Sequence, residues 1–487
     1  LIGSTIAYVD EQVGRELVLG LLVVIGLALV IALLPLAWTV LLMLGGVILF
    51  ATLVQPRLGL VFLIVAVPFG SIQQVRVGVM NVGLAEVLVV LVTSAWLMRL
   101  AIRRKSVRHR VAWPALGWPL VIFIGVLLLS LLVTWSLQHS IKELIKWFEV
   151  LLIYLLVAWG VNDRWARALA LAVVVTGGLT ALHGIYQFLF RVGPEGFILF
   201  DRFMRAYGTF EQPNPYGGYL GLTLPVALGL AVVAGLGLGQ WSRSWRWFTL
   251  AVAGVCAALM LVALAMSWSR GAWLGFGAAV VGMAVALVVR SGRGAVLIAI
   301  LVALVAYALL AGGLAQVPPS LIQRFSDFVP YLGVSDVRGA EITDANFAVL
   351  ERVAHWQAAW QMWTDHPWLG VGIGNYEPVY PRYALPQWPL PLGHAHNYYL
   401  NIAAEAGIVG LGTYLLLWSM ALLQAWRAVR RGSGWDLGVA LGVFGVLVHL
   451  GVHNFVDNLY VHGMYLHLAV LLGLVAGIAR NQEARSQ

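Results

Sequence analysis

The stretch WFTLAVAGVCAALMLVALAMS, residues 247–267, is followed by WSR, residues 268–270, and then by GAWLGFGAAVVGMAVALVVR, residues 271–290. Each flanking run lacks an internal charge and holds about twenty residues, enough for a helix to span the ~30 Å hydrocarbon core of a bilayer. The two runs read as antiparallel neighbours joined by almost no loop, so Arg270 is held at or just inside the membrane boundary. A guanidinium at that depth is costly unless it faces a partner or a wet cavity. The bland alternative is an anchor in an aromatic belt beside Trp268 and Trp273.

The same reading extends to the whole chain. Hydrophobic residues make up 61% and charged residues only 10%, with a mean hydropathy of +0.88, far from the ~25% charged content of soluble proteins. The expected fold class is an all-α polytopic membrane protein with about 12–14 transmembrane helices and one large outer loop. Candidate spans run from 17–34 to 461–480, including short ones at 57–70 and 147–161 and one at 294–315. Leu34-Pro35 either ends the first span or kinks it. Three regions are expected: an N-terminal bundle at 1–315, the loop at 316–397 and C-terminal helices at 398–487. No ten-residue alternation suggests a barrel. The single Cys256 excludes a disulfide framework and reads as core filler. Residues 1–16 carry Asp10, Glu11 and Glu16 where a signal peptide would be basic, so no cleavable signal peptide is expected.

Basic residues set the orientation. The densest cluster, Arg103-Arg104-Lys105 with Arg108 and Arg110, follows the fourth span and is expected on the cytoplasmic side. Alternate counting from there puts most Lys and Arg on that face and both termini with them. The net charge of +9 then reflects topology and attraction to anionic membrane lipid, and no nucleic-acid partner is expected. Under this orientation the loop at 191–215, the turn at 267–271 and the loop at 316–397 all face outward.

Those outward segments carry the candidate chemistry. Arg205-Ala206-Tyr207-Gly208-Thr209-Phe210 precedes Pro213-Asn214-Pro215 in a dense turn, where Arg205 offers a forked, permanently charged grip on an anion, or else snorkels to headgroups. Residues 349–364 read as an amphipathic helix carrying Glu351, Arg352, His355 and Trp356, and it ends at His366-Pro367. Gly370, Gly372 and Gly374 read as a tight turn, since no strand precedes them as a dinucleotide fingerprint requires. Trp356, Trp360, Trp363, Trp368 and Trp388 could stack on sugar rings, although packing is the commoner use.

Then comes Gly393-His394-Ala395-His396-Asn397-Tyr398, whose imidazoles can accept a hydroxyl proton near neutral pH. Asn397, Asn401 and Glu405 follow at four-residue intervals on one helix face. His394 and His396 with His449 or His453 would offer zinc ligands, but no matching carboxylate spacing accompanies them and no metal cofactor is expected. The residues 138–149 read as an amphipathic segment along the outer interface. His449, His453, Asn454, Asp457, Asn458, His462 and His467 surround the last outer turn, where they either line the same cavity or satisfy one another, and His183 and Gln187 read as structural.

Four of these patterns in order, R-x-x-G-T-F then P-N, S-R-G-A, D-H-P-x-x-G-x-G-x-G-N, and H-x-H-N-x-x-L then E-x-G-x-x-G, resemble the O-antigen ligase and O-antigen polymerase superfamily over about residues 140–460. The resemblance implies a GT-C-like fold and an inverting, metal-independent glycosyltransferase of the cytoplasmic membrane, working on its outer face. It implies an undecaprenyl-diphosphate-linked glycan as donor and a glycan, lipid or protein as acceptor, as in lipopolysaccharide biosynthesis. Carried over to this chain, it makes Arg205 and Arg270 the diphosphate holders and His396 the acceptor-activating base. Arg352, His394, Asn397, Asn401, Glu405 and Asn214 are then substrate contacts. The reading from another class is a multi-pass transporter of a small anion such as bicarbonate, for which an internal repeat and a mid-membrane charge path are expected; neither is legible here.

Overall fold

A computed structural model describes residues 35–70, 72, 74–102, 113–199, 201–290, 336–343 and 346–486. The expected spans 17–34 and 294–315 lie outside these residues, as does the basic cluster at 103–110.

The described chain is a multi-pass, all-α membrane protein. Its helices are α1 (Leu36–Val54), α2 (Pro56–Ala66), α3 (Leu84–Ile102), α4 (Gly117–Leu129), α5 (Leu137–Gly160), α6 (Asp163–Phe190) and α7 (Pro213–Gly235). Then follow α8 (Arg243–Met266), α9 (Arg270–Arg290), α10 (Phe347–Asp365), α11 (Tyr398–Arg431), α12 (Gly434–His453) and α13 (Met464–Ser486). Among the described residues, α1, α3, α6, α7, α8, α9, α11, α12 and α13 are long and apolar enough to cross a membrane. The only β-structure described is two short antiparallel hairpins, β1 (Val75–Val77) with β2 (Met80–Val82) and β3 (Ile198–Leu199) with β4 (Phe203–Met204). Helices dominate because hydrocarbon cannot solvate backbone amides and a helix satisfies them internally.

Local chemistry sets the helix limits. Pro35 precedes α1, and a proline opens α2 and α7 at a position where no intrahelical N–H is needed. Asn162 and Asn397 cap α6 and α11 with their side chains. One reading changes: residues 138–149 do not form a separate interfacial segment but are the N-terminal half of α5, in which Ser140, Leu144, Trp147 and Glu149 are buried. Charges at pairing distance look the same on an interfacial helix and on the mouth of a span. What decides here is a buried partner far along the chain, since Tyr465 donates to Glu149 at 2.7 Å.

Burial separates centre from rim. Within the membrane-length window, α7 is 83% buried and α12 72%, whereas α1 is 6% buried among the described residues. Small residues let the central helices meet at backbone distance. A Cβ on Gly229 would stand 2.5 Å from the Gly438 carbonyl oxygen, and one on Gly442 would stand 2.5 Å from Val226 Cα. α9 packs on the same α12, with Gly275 against His449.

Arginines cap the helix ends at one face of the bundle. Arg57 Nε donates to Gly160 O at 2.6 Å, Arg246 Nε to Ala234 O at 2.7 Å and Arg290 Nη2 to Gly432 O at 2.6 Å. Each guanidinium occupies a terminus where carbonyls lack intrahelical partners and the dipole is negative. The candidate site lies at the opposite end.

Candidate active site at one end of the bundle

Arg205 sits just beyond the β3–β4 hairpin in a turn fixed from several directions. Gln187 of α6 donates to Gly208 O at 2.7 Å and accepts from Gly208 N at 2.7 Å, so it does have the structural role its sequence suggests. Ala206 N donates to Met266 O at 2.9 Å, tying the turn to the end of α8. The guanidinium donates through Nε to Ser267 O at 3.0 Å and through Nη2 to Asn214 Oδ1 at 2.9 Å. Asn214 thereby orients Arg205.

Arg270 opens α9 two residues after Trp268, whose φ of 53° is left-handed. A non-glycine residue there costs energy and marks a turn imposed by its surroundings. The next residue, Gly271, lies so close to the α12–α13 turn that a Cβ on it would meet both His453 and Val456 at 2.8 Å. The first turn of α9 thus rests on the turn that carries Asp457. Arg205 and Arg270 are joined through the 267–269 turn.

The histidine turn packs against the same place. His396 also has a left-handed backbone, φ 50°, following Gly393 at φ 80°. His396 N donates to His394 Nδ1 at 3.1 Å, Ala395 N to Asn401 Oδ1 at 3.0 Å and Tyr398 N to Asn454 O at 2.8 Å. His396 Nδ1 stands 3.6 Å from Asp457 Oδ1, an ion-pair separation slightly longer than a hydrogen bond. From α10, Trp356 Nε1 donates to His396 O at 3.2 Å, and Arg352 Nε donates to Val456 O at 3.3 Å. His355 completes the group, its ring centroid 5.6 Å from that of His396.

The groups around His396 have distinct electrostatics. Burial pushes the His355 imidazole down to about 4, helped by the charge of His396, and it exchanges a 2.7 Å hydrogen bond with the Tyr376 hydroxyl. Burial likewise pushes His394 down to about 3, again with His396 beside it. Both neighbours are therefore neutral at physiological pH. Burial alone would raise the Asp457 carboxyl, but His396, His394 and Arg352 together hold it well below the usual carboxylate range. A fixed carboxylate thus faces an imidazole flanked by two neutral ones.

The polar stripe on α11 is used by the fold. Asn397 accepts from Leu400 N at 3.1 Å, Asn401 holds Ala395 N, and Glu405 Oε1 accepts from Tyr376 N at 3.0 Å. The tight turn at 370–374 is present, with φ of 65°, 97° and 75° at its glycines. A Cβ on Gly372 would meet Thr134 Cα at 2.6 Å and one on Gly374 would meet His139 O at 2.5 Å, so this turn docks directly onto the start of α5. Of the tryptophans, Trp388 is packed against Phe347, while Trp360 and Trp368 are exposed.

Two readings change in detail. His449 and His453 face each other at 3.3 Å within α12; the donor group that forms instead is His394, His396 and Asp457, whose ligand atoms lie within 4.8 Å of one another. Asp457, which the sequence places only among the residues around the last turn, is the one that faces His396. It lies 61 residues beyond His396, and no local spacing announces that the two meet.

Residues 255–415 match the family model described as O-antigen ligase. The match covers 161 of the 487 residues, and over that segment the chain is similar to the O-antigen ligase family. The matched segment contains Arg270, Arg352, His394 and His396, while Arg205 and Asp457 fall on either side of it. No curated protein matches the chain. The family supports glycan transfer of the O-antigen ligase type, with a lipid-linked glycan donor and an acceptor as the general substrates.

Proposed function

We propose that the protein is an inverting glycosyltransferase of the cytoplasmic membrane that moves a glycan from undecaprenyl diphosphate to an acceptor hydroxyl on the outer face. The observation that carries this reading is the His396–Asp457 pair at 3.6 Å, packed at the same bundle end as Arg205, Arg270 and Arg352.

In this mechanism Arg205 and Arg270 hold the donor diphosphate, and Arg352 reaches it from α10. The acceptor oxygen attacks the anomeric carbon opposite the diphosphate, forming one C–O bond while the bond to the phosphate oxygen breaks. The hydroxyl proton passes to His396, and Asp457 stabilises the imidazolium that results. Negative charge accumulates on the departing diphosphate, where fixed guanidiniums act without reorganising. A positioned general base contributes about 10²–10⁴-fold, and one charge-stabilising donor about 10²–10³-fold. Asn214 orients Arg205, while Asn397 and Asn401 hold the His396 turn. His394 donates shape to that turn, and Glu405 anchors the glycine loop behind it.

The His394, His396 and Asp457 donor set supports a second reading, in which a cation sits where the proton would go. Tetrahedral zinc at ~2.0–2.1 Å from each ligand needs donors about 3.3–3.5 Å apart, and only modest movement separates this set from that geometry.

Incubation of the purified protein with a lipid-diphosphate glycan tests the reading. A ladder of products identifies a polymerase, and a single transferred product identifies a ligase. Anion flux in vesicles without any transferred product would overturn it in favour of transport. Transfer lost in chelator and restored by zinc would favour the cation.

A further inference from the structure

At the bundle end opposite the histidines, two cavities meet. The first, of ≈ 580 Å³, is lined by Arg57, Arg164 and Arg480 together with Asp163 and Asn481. The second, of ≈ 210 Å³, runs between α2, α3 and α5; Leu60, Val92, Trp96, Leu100 and Leu156 form one wall, and Arg99, which donates to Gln55 at 3.1 Å, lines its polar edge. Arg57 and Gly160 line both.

The first cavity is cationic. Three guanidiniums stand around it against one carboxylate, and that carboxylate already accepts from Asn481 Nδ2 at 2.7 Å. Arg57 is fixed at the junction by its 2.6 Å bond to Gly160 O. The second cavity carries an apolar wall of leucines beside its polar edge, and Trp96 stacks on Trp159 of the first at 6.3 Å between centroids. Aromatic rings at a polar-to-apolar junction are the usual marker of the membrane–water interface. A free inorganic anion would leave the leucine wall of the second cavity unused, and an uncharged lipid would leave the arginines unused. A molecule with an anionic head joined to an acyl chain matches both halves at once.

We propose that this paired cavity binds one anionic phospholipid, with its phosphate among Arg57, Arg164 and Arg480 and an acyl chain along Leu60, Val92 and Leu156. The site is separate from glycan transfer: it is formed where α5 ends and α6 begins, at the opposite end of the 24-residue α5 from the 370–374 turn. The mean attraction of basic residues for an anionic leaflet is here focused into one stoichiometric position.

Native mass spectrometry of the full chain in detergent tests this, using phosphatidylglycerol, phosphatidylcholine of the same acyl chains, and soluble glycerol 3-phosphate. Wild-type protein should retain one phosphatidylglycerol about tenfold more tightly than the Arg164→Gln/Arg480→Gln double variant. Phosphatidylcholine should be retained no better by wild type than by the variant, and glycerol 3-phosphate should not displace the bound lipid. Equal retention of the two lipids would overturn the proposal, as would an unchanged double variant. Displacement by glycerol 3-phosphate at lipid-equivalent concentration would also overturn it, assigning the cavity to a soluble phosphate. Should the double variant fail to fold, Arg480→Gln alone decides, with weakened retention supporting the site and unchanged retention contradicting it.

Discussion

His396 and Trp268 are both held in left-handed backbone, one on the imidazole itself and the other two residues before Arg270. Strain of this kind persists only where the surroundings over-determine it, as at positions that aim a functional group. Asp457→Asn keeps the shape of the site and removes the charge facing His396. It should lower kcat about 10²-fold with little change in KM, measured by steady-state transfer. Arg270→Lys keeps the charge but loses the fork, so it should recover only part of the activity lost in Arg270→Ala, read in the same assay. The arginines and His396 are legible because each lies in a short polar segment between apolar runs, where a charge is conspicuous. The pairing of Asp457 with His396 is not legible, because the partner comes from a turn on the far side of α11 and α12 and only packing joins them.

Within the elements, the decisive features are close approaches. α11 is broken at Gly407, φ 67° and ψ −168°, where a Cβ would overlap the Trp368 carbonyl. Gly407→Ala should destabilise the protein by about 2–3 kcal/mol or more, seen as a lower melting temperature in detergent. The amphipathic pattern locates α10 closely, 349–364 expected against Phe347–Asp365 observed, since its apolar period of 3.6 is set by one buried face. The same pattern misleads at 138–149, where polar residues sit on a span mouth and the pairing partner is Tyr465. α10 also sets a pH dependence. His355, 1% exposed, is held down to about 4, against ~6.5 in an unfolded chain. Between those values the unfolded chain binds the extra proton, so stability is fully present above about pH 6.5 and falls as pH drops toward 4. Thermal melting should therefore be flat above pH 7 and decline below 6, with a shallower decline in His355→Gln. A decline unchanged in that variant would contradict this assignment.

For the whole molecule, the two ends of the bundle differ in how they use arginine. Arg57, Arg246 and Arg290 satisfy helix carbonyls at one end, whereas Arg205, Arg270 and Arg352 gather around the His396 turn at the other. The sequence carries an orientation signal because topology sorts basic residues between the faces; the capping contacts leave no such signal, since they join helices distant in sequence. Cysteines introduced at exposed Thr364 and Ser242 should separate cleanly, the first reacting with a membrane-impermeant maleimide in intact cells and the second only after lysis. The central claim is that arginines hold the donor while one imidazole takes the acceptor proton. It is tested most directly by measuring donor binding and single-turnover transfer together in purified wild-type, Arg270→Ala and His396→Ala protein. The expected result is that His396→Ala binds the lipid-diphosphate glycan as wild type does yet transfers it at least about 10²-fold more slowly, while Arg270→Ala loses binding and transfer together. Transfer at the wild-type rate by His396→Ala would contradict the account.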